Sequence, residues 1–171
     1  MILSKFKERA GWIITVFAAM LALNSILDSS NSSQILDDTI EANNVWAFYQ
    51  AKSIKQNLTE MRYDDAISRK DTKKAEYLKA KIEKYESDPE KGEGKKELMA
   101  KARSLEDDRA NCELRSPWYT FSNACFQIAI VIMAAAMISF SLRMYWISIA
   151  VGILATLLMC QGFWLFLPIT L

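Results

Sequence analysis

The sequence predicts an all-α membrane protein: three transmembrane helices, with an extramembrane helical hairpin of coiled-coil-like character between the first and the second. Three observations carry this expectation. Apolar residues crowd into residues 1–27 and into the stretch from about residue 117 onward. Charge is confined to the middle, because only Lys5, Lys7, Arg9 and Arg143 of the 21 Lys and Arg, and only Glu8 of the 20 Asp and Glu, lie outside residues 28–118. Within that middle stretch apolar residues recur at alternating steps of three and four, the period of a helix with one buried stripe.

The amino terminus, residues 1–10, carries Lys5, Lys7 and Arg9 and is expected to be cytoplasmic. Residues 11–27 are uncharged. A basic start before an apolar run also suits a secretory signal peptide, but the preferred reading is a first transmembrane helix near the lower length limit, roughly 25 Å at 1.5 Å per residue. Ala18 and Ala22 form a small-xxx-small pair on it, the kind of spacing that lets helices approach closely in lipid.

Residues 28–117 form the charged helical hairpin domain. Its opening, Asp28 to Asp38, is rich in Ser, Asn and Asp, whose side chains compete for backbone hydrogen bonds, so a break or loosened helix is expected there. A long helix over about 38–67 follows. Ile40, Asn44, Ala47, Ala51, Ile54, Leu58 and Met61 give it a heptad seam weakened by one asparagine and two alanines. Ser68 to Asp71 offers a turn before a helix over about 71–87, and Pro89, Gly92 and Gly94 interrupt the chain before a third helix over about 95–115. The two shorter helices together match the long one, which makes an out-and-back hairpin the economical arrangement.

Pro117, Trp118 and Tyr119 mark return to the membrane. Residues 118–142 form the second transmembrane helix, 143–146 a short connection, and 147–167 the third. Phe163, Trp164 and Phe166 near its end read as an interfacial aromatic belt. The segment after the first span has no Lys or Arg until Lys52. With long loops translocating largely regardless of charge, the positive-inside rule places the charged domain in the periplasm of a bacterial inner membrane.

Chemistry is thinly represented. There is no histidine, which removes the commonest general base and metal ligand together. Cys112, Cys125 and Cys160 are widely spaced and support neither a disulfide framework nor a zinc site. Asp37, Asp38 and Glu41 put carboxylates in a first helical turn, where the helix dipole favours them without any metal. Gly92-Glu93-Gly94 lacks the Lys-Ser/Thr of a phosphate loop. The charged middle is nearly neutral overall, which excludes a nucleic-acid face. No catalytic residue, metal ligand or cofactor is assigned, and no enzyme is expected.

Trp46-Ala47-Phe48-Tyr49-Gln50-Ala51-Lys52-Ser53-Ile54-Lys55-Gln56 resembles the signature of a bacterial membrane-protein family known only as a domain of unknown function, DUF4337. Phe126 to Ile132, Arg143-Met144-Tyr145-Trp146 and Gly162-Phe163 are similar to that family's carboxyl-terminal region. The resemblance implies one amino-terminal span, a charged helical segment and two closing spans, and it implies no activity. The amino terminus here lacks the polar, acidic extension of many members.

Two sets of residues remain as candidate sites. Trp46, Phe48, Tyr49, Gln50, Lys52 and Lys55 form either intrachain packing or a partner interface, since aromatic rings beside small residues serve both. Lys52 and Lys55 read as a solvated face, or as a contact for an acidic partner or lipid headgroup. Asn24, Asn123, Gln127 and Gln161 are amides in the spans, placed either to bind helices together or to line a pore. The expected partners are the lipid bilayer, further copies of the chain in a homo-oligomer, and a larger membrane complex. The function read from these features is that of a non-enzymatic scaffold or accessory subunit, with a channel or transporter subunit as the alternative.

Overall fold

The computed structural model describes residues 2–165, with side chains from Lys5 onward. Among the described residues there are four helices and no strand: α1 Ile2–Ser68, α2 Thr72–Glu86, α3 Lys95–Ser139 and α4 Leu142–Trp164. By length and composition α1, α3 and α4 each contain a stretch able to cross a membrane, as an integral membrane protein requires. The chain divides into two compact units, one of residues 1–35 with 111–171 and one of residues 36–110.

Three expected boundaries are corrected. The stretch Asp28–Asp38 is helical throughout, without a break. Two of its polar side chains are engaged across to α3: the Asn31 amide donates to the Cys112 carbonyl at 2.9 Å and Asp28 accepts from the Asn123 amide at 3.1 Å. Side chains so occupied no longer compete for their own backbone, and tertiary context overrides a weak propensity. Likewise α3 continues through Pro117 where a helix end was expected. Interior proline costs about 3 kcal/mol. Trp118 and Tyr119, the next two residues, are buried against Gly162 and supply apolar burial of comparable size.

The third correction concerns the connection between the last two spans. Arg143 to Trp146 lie in the first turns of α4, and the reversal occurs at Phe140 and Ser141. Phe140 takes the left-handed conformation (φ 54) while the Ser141 N–H bonds to the Ala136 carbonyl, so α3 closes on a Schellman-type cap. The end of α1 is built in the same way, with Lys70 left-handed and Asp71 N–H reaching Ala66. Asp71 then caps α2 by accepting from Lys74 N–H. Phe166 and the last residues of the expected third span lie outside the described residues.

In the unit of residues 1–35 and 111–171, α1, α3 and α4 pack through small residues. Ala10, Ala129, Ala136 and Ala155 are fully buried around Phe126 and Met133. A Cβ at Gly152 would meet the Phe17 ring, so this ring of α1 rests directly on the α4 backbone there. The Ser122 hydroxyl donates to the Ala155 carbonyl at 2.9 Å and the Ser148 hydroxyl to the Ala129 carbonyl at 2.7 Å, lacing α3 to α4. Ala18 and Ala22 are exposed and take no part in this packing.

In the unit of residues 36–110, the second half of α1 packs on α2 and on the start of α3. Val45, Leu98 and Ala102 make one small core, and Ala66, Ala75 and Leu78 make another. The segment between α2 and α3 is fixed by Glu97, which accepts from the Ser87 hydroxyl at 2.6 Å and from the Asp88 N–H at 3.2 Å. Gly94 makes this possible, since any Cβ there would collide with the Glu97 carboxylate and with the backbone of Asp88 and Ser87.

Candidate functional site

The long helix α1 presents two different heptad faces between residues 40 and 66. Ala42, Val45, Tyr49, Lys52, Gln56, Thr59, Tyr63 and Ala66 are all buried or half-buried, at steps of three and four. This is the face that meets α2 and α3. Ile40, Asn44, Ala47, Ala51, Ile54, Leu58 and Met61 lie on another face and are exposed, with the four large apolar members other than Ala and Asn each between 51% and 69% open. The seam legible in the sequence is therefore not the seam that closes this unit. Leu36 and Phe48 extend the open apolar surface.

The aromatic signature straddles both faces. Trp46 Nε1 donates to Glu106 at 2.8 Å, and the ring packs with Tyr49 beside Val45, Leu98 and Ala102. The two rings meet edge to face with centroids 5.5 Å apart, a favourable aromatic geometry. Phe48, between the two in sequence, points outward. Lys52 pairs with Glu93 at 3.3 Å and lies 5.8 Å from the Tyr85 ring centroid. The Lys52 side chain is largely covered while that of Glu93 is open. Gln50 and Lys55 are exposed.

Electrostatics within this unit is local. Lys101 pairs with Glu41 at 2.7 Å and Lys95 with Glu86 at 3.2 Å. The hydrogen bond from Lys95 is the largest influence on Glu86 and holds its carboxyl below the usual value. The Ser87 hydroxyl does the same for Glu97, helped by the Asp88 N–H. No three His, Cys, Asp or Glu side chains gather as a metal would need among the described residues.

The span amides divide by geometry. Asn24 is fully buried and donates at 2.8 Å to both the Tyr119 carbonyl and Asn123 Oδ1. The Ser25 hydroxyl also donates to Asn123 Oδ1, and Asn123 in turn donates to Asp28. This is a continuous polar chain between α1 and α3. Gln161 is buried and Gln127 is exposed. Sequence reasoning passed over Asn31, Ser122, Ser148 and Glu106, each of which bonds across helices. It also passed over the Ala42–Ala66 face, whose signal was available as a second series of threes and fours offset by two residues from the more apolar one.

The family model of a domain of unknown function, DUF4337, matches residues 6–165. No curated protein and no solved structure matches the chain. With nearly its whole length matched, the chain belongs to the DUF4337 family.

Proposed function

For this member of the DUF4337 family, we propose a role as a non-enzymatic scaffold or accessory subunit whose copies associate along the open heptad face of α1. The observation that carries the reading is the exposure of Ile40, Ile54, Leu58 and Met61 on a face left free by all the intrachain packing. A soluble helix face of this length and regularity is costly to leave in water, and heptad stripes are buried by a second stripe of the same kind. With Leu36 and Phe48, six large side chains at roughly 100 Å² each bring a pair of copies to about 1,200 Å², the lower edge of stable interfaces. Charge does not oppose the pairing, because the flanking Glu41, Lys55, Arg62 and Asp64 are two of each sign. Asn44 within the stripe is the type of residue that fixes register and oligomer number at some cost in stability.

In this reading residues 36–110 form an extramembrane hairpin between the first and second spans. Our reading of its side of the membrane rests on the cations of residues 5–9 and of Arg143. Lys7 lies 5.1 Å from the Phe140 ring and Phe6 lies 5.4 Å from the Tyr145 ring, so Lys5, Lys7, Arg9 and Arg143 cluster at one end of the bundle. The positive-inside rule makes that end cytoplasmic and the hairpin periplasmic, in a bacterial inner membrane. Cys112 is buried and is a poor reporter of topology, so a cysteine placed at exposed Lys74 is the better probe. Labelling of that cysteine by an impermeant reagent on intact spheroplasts is expected; labelling only after lysis overturns the orientation.

Mass photometry of the full chain in mild detergent tests the assembly. A dimer or higher oligomer is expected, reduced to monomer by I54K with L58K; a strictly monomeric wild type with no co-purifying partner overturns the proposal.

A further inference from the structure

Between α1 and α4, within the unit of residues 1–35 and 111–171, two cavities adjoin along the same pair of helices. One, of about 460 Å³, is lined by Lys5, Phe6, Arg9, Leu142, Tyr145 and Trp146. The other, of about 280 Å³, is lined by Trp12, Ile13, Val16, Phe17, Ile149 and Ile153. On α1 the lining steps from Lys5 through Arg9 and Ile13 to Phe17, and on α4 from Leu142 through Trp146 and Ile149 to Ile153, so each helix contributes one continuous face. The groove runs roughly 18 Å along α1, cationic and aromatic at one end and wholly apolar at the other.

We propose that this groove is a binding site for a single anionic glycerophospholipid, its phosphate held by Lys5 and Arg9 and one acyl chain laid between Trp12, Val16, Ile149 and Ile153. Among the described residues neither Lys5 nor Arg9 has an ion pair, and both line the cavity. Arg9 supplies a planar fork suited to two phosphate oxygens, and Lys5 supplies a point charge. Further charge at this end favours an anion. Lys7 sits against Phe140, Arg143 lies in the first turn of α4, and Glu8 is the one acid of the segment. Ser141 makes no side-chain cap bond, so the first N–H groups of α4 lack that partner, and Leu142 at this positive dipole end lines the same cavity. Tyr145 and Trp146 are the aromatic types that settle at headgroup depth.

The apolar cavity decides between two sources of a phosphate. A free anion would use the cationic mouth alone and leave the second cavity unfilled. A lipid fills both, and basic pockets between transmembrane helices commonly take acidic headgroups. A lipid with a zwitterionic head brings its own cation toward Lys5 and Arg9 and gains less. This site is independent of any association along α1.

The test is native mass spectrometry of the delipidated full chain, titrated with phosphatidylglycerol, phosphatidylcholine and inorganic phosphate. One phosphatidylglycerol per chain is expected, at least tenfold preferred over phosphatidylcholine and not displaced by millimolar phosphate. K5Q with R9Q removes the preference, and I149W weakens binding of both lipids by filling the groove. K73Q with K74Q, the same charge change on exposed residues of α2, leaves binding unchanged and controls for net charge. Equal binding of the two lipids, wild-type affinity in K5Q/R9Q, an equal loss in K73Q/K74Q, or displacement by phosphate each overturns the proposal.

Discussion

The two compact units are both helical but are held together by different means. In residues 1–35 and 111–171, the contacts are Ala and Gly at close approach, with Asn24, Ser122 and Ser148 bonding to backbone across the helices. In residues 36–110, two small apolar cores are ringed by the pairs Lys101–Glu41, Lys52–Glu93 and Lys95–Glu86. The difference follows the solvent each composition suits. Lipid offers no hydrophobic gain between helices, so close backbone packing and satisfied polar groups do the holding. In water, burial of a few rings and aliphatic chains dominates, and exposed ion pairs add little.

Crowding should hurt the first unit most. G152L, which drives a large side chain into the Phe17 ring, is expected to cost more than about 3 kcal/mol and to abolish a monodisperse peak in detergent chromatography. A second change, F17A, should restore much of it; failure of the rescue would mean that α1 and α4 do not meet at this point.

Truncation of a ring should dominate in the second unit. W46A is expected to lose about 2–3 kcal/mol, since the ring is partly buried and its Glu106 bond goes with it. Thermal unfolding followed by circular dichroism measures this. F48A, one face away, should leave the melting of a dissociated chain unchanged; equal losses would erase the distinction between the two faces of α1.

A smaller effect is expected from N24L, about 1–2 kcal/mol, because it removes the two bonds that Asn24 donates across to α3, at the Tyr119 carbonyl and at Asn123, while Ser25 and Asp28 still engage Asn123. Removing a pair at the water-exposed surface, with K101A, should cost no more than about 1 kcal/mol and should shrink with added salt.

The smallest effect is on pH. The carboxyls of Glu86 and Glu97 are held below their usual 4.5 by Lys95 and Ser87 respectively. Their support is therefore complete above that value and is lost as pH falls through the lower, folded-state value. Hydrogen exchange in residues 87–97, corrected for intrinsic rates, should speed up over that acid range, and E97Q should show most of the speeding already at neutral pH. A pH-independent exchange rate in the wild type would show that Glu97 does not hold this segment.

Much of the fold was legible because helix formation and membrane partition depend on composition and on period over long windows. The apolar runs, the Gly92–Gly94 interruption and the turn at Ser68–Asp71 are local signals, and each answers to a local cause. The breaks expected at Asp28–Asp38 and Pro117 were misread for the same reason. Propensity at Asn31 or Pro117 is worth at most a few kcal/mol, and bonds to Cys112 or burial of Trp118 and Tyr119 outweigh it. The candidate site was half legible. Ile40 to Met61 stood out as a seam because it is the more hydrophobic series, yet intrachain packing uses Ala42, Val45, Tyr49 and Ala66, where small and polar residues admit a close neighbour.

By itself, then, the sequence determined that this protein is helical, that three stretches are apolar enough to span a membrane, and that a charged stretch with heptad character lies between the first two. Those properties are sums over many residues and tolerate local exceptions. Only the tertiary structure decided which face of α1 is occupied, where α3 and α4 reverse, and that Lys5 and Arg9 open onto an apolar groove against Trp146 and Ile149. Each of these depends on residues far apart in the chain being brought within a few ångströms, and the period of one helix cannot say which neighbour fills its stripe.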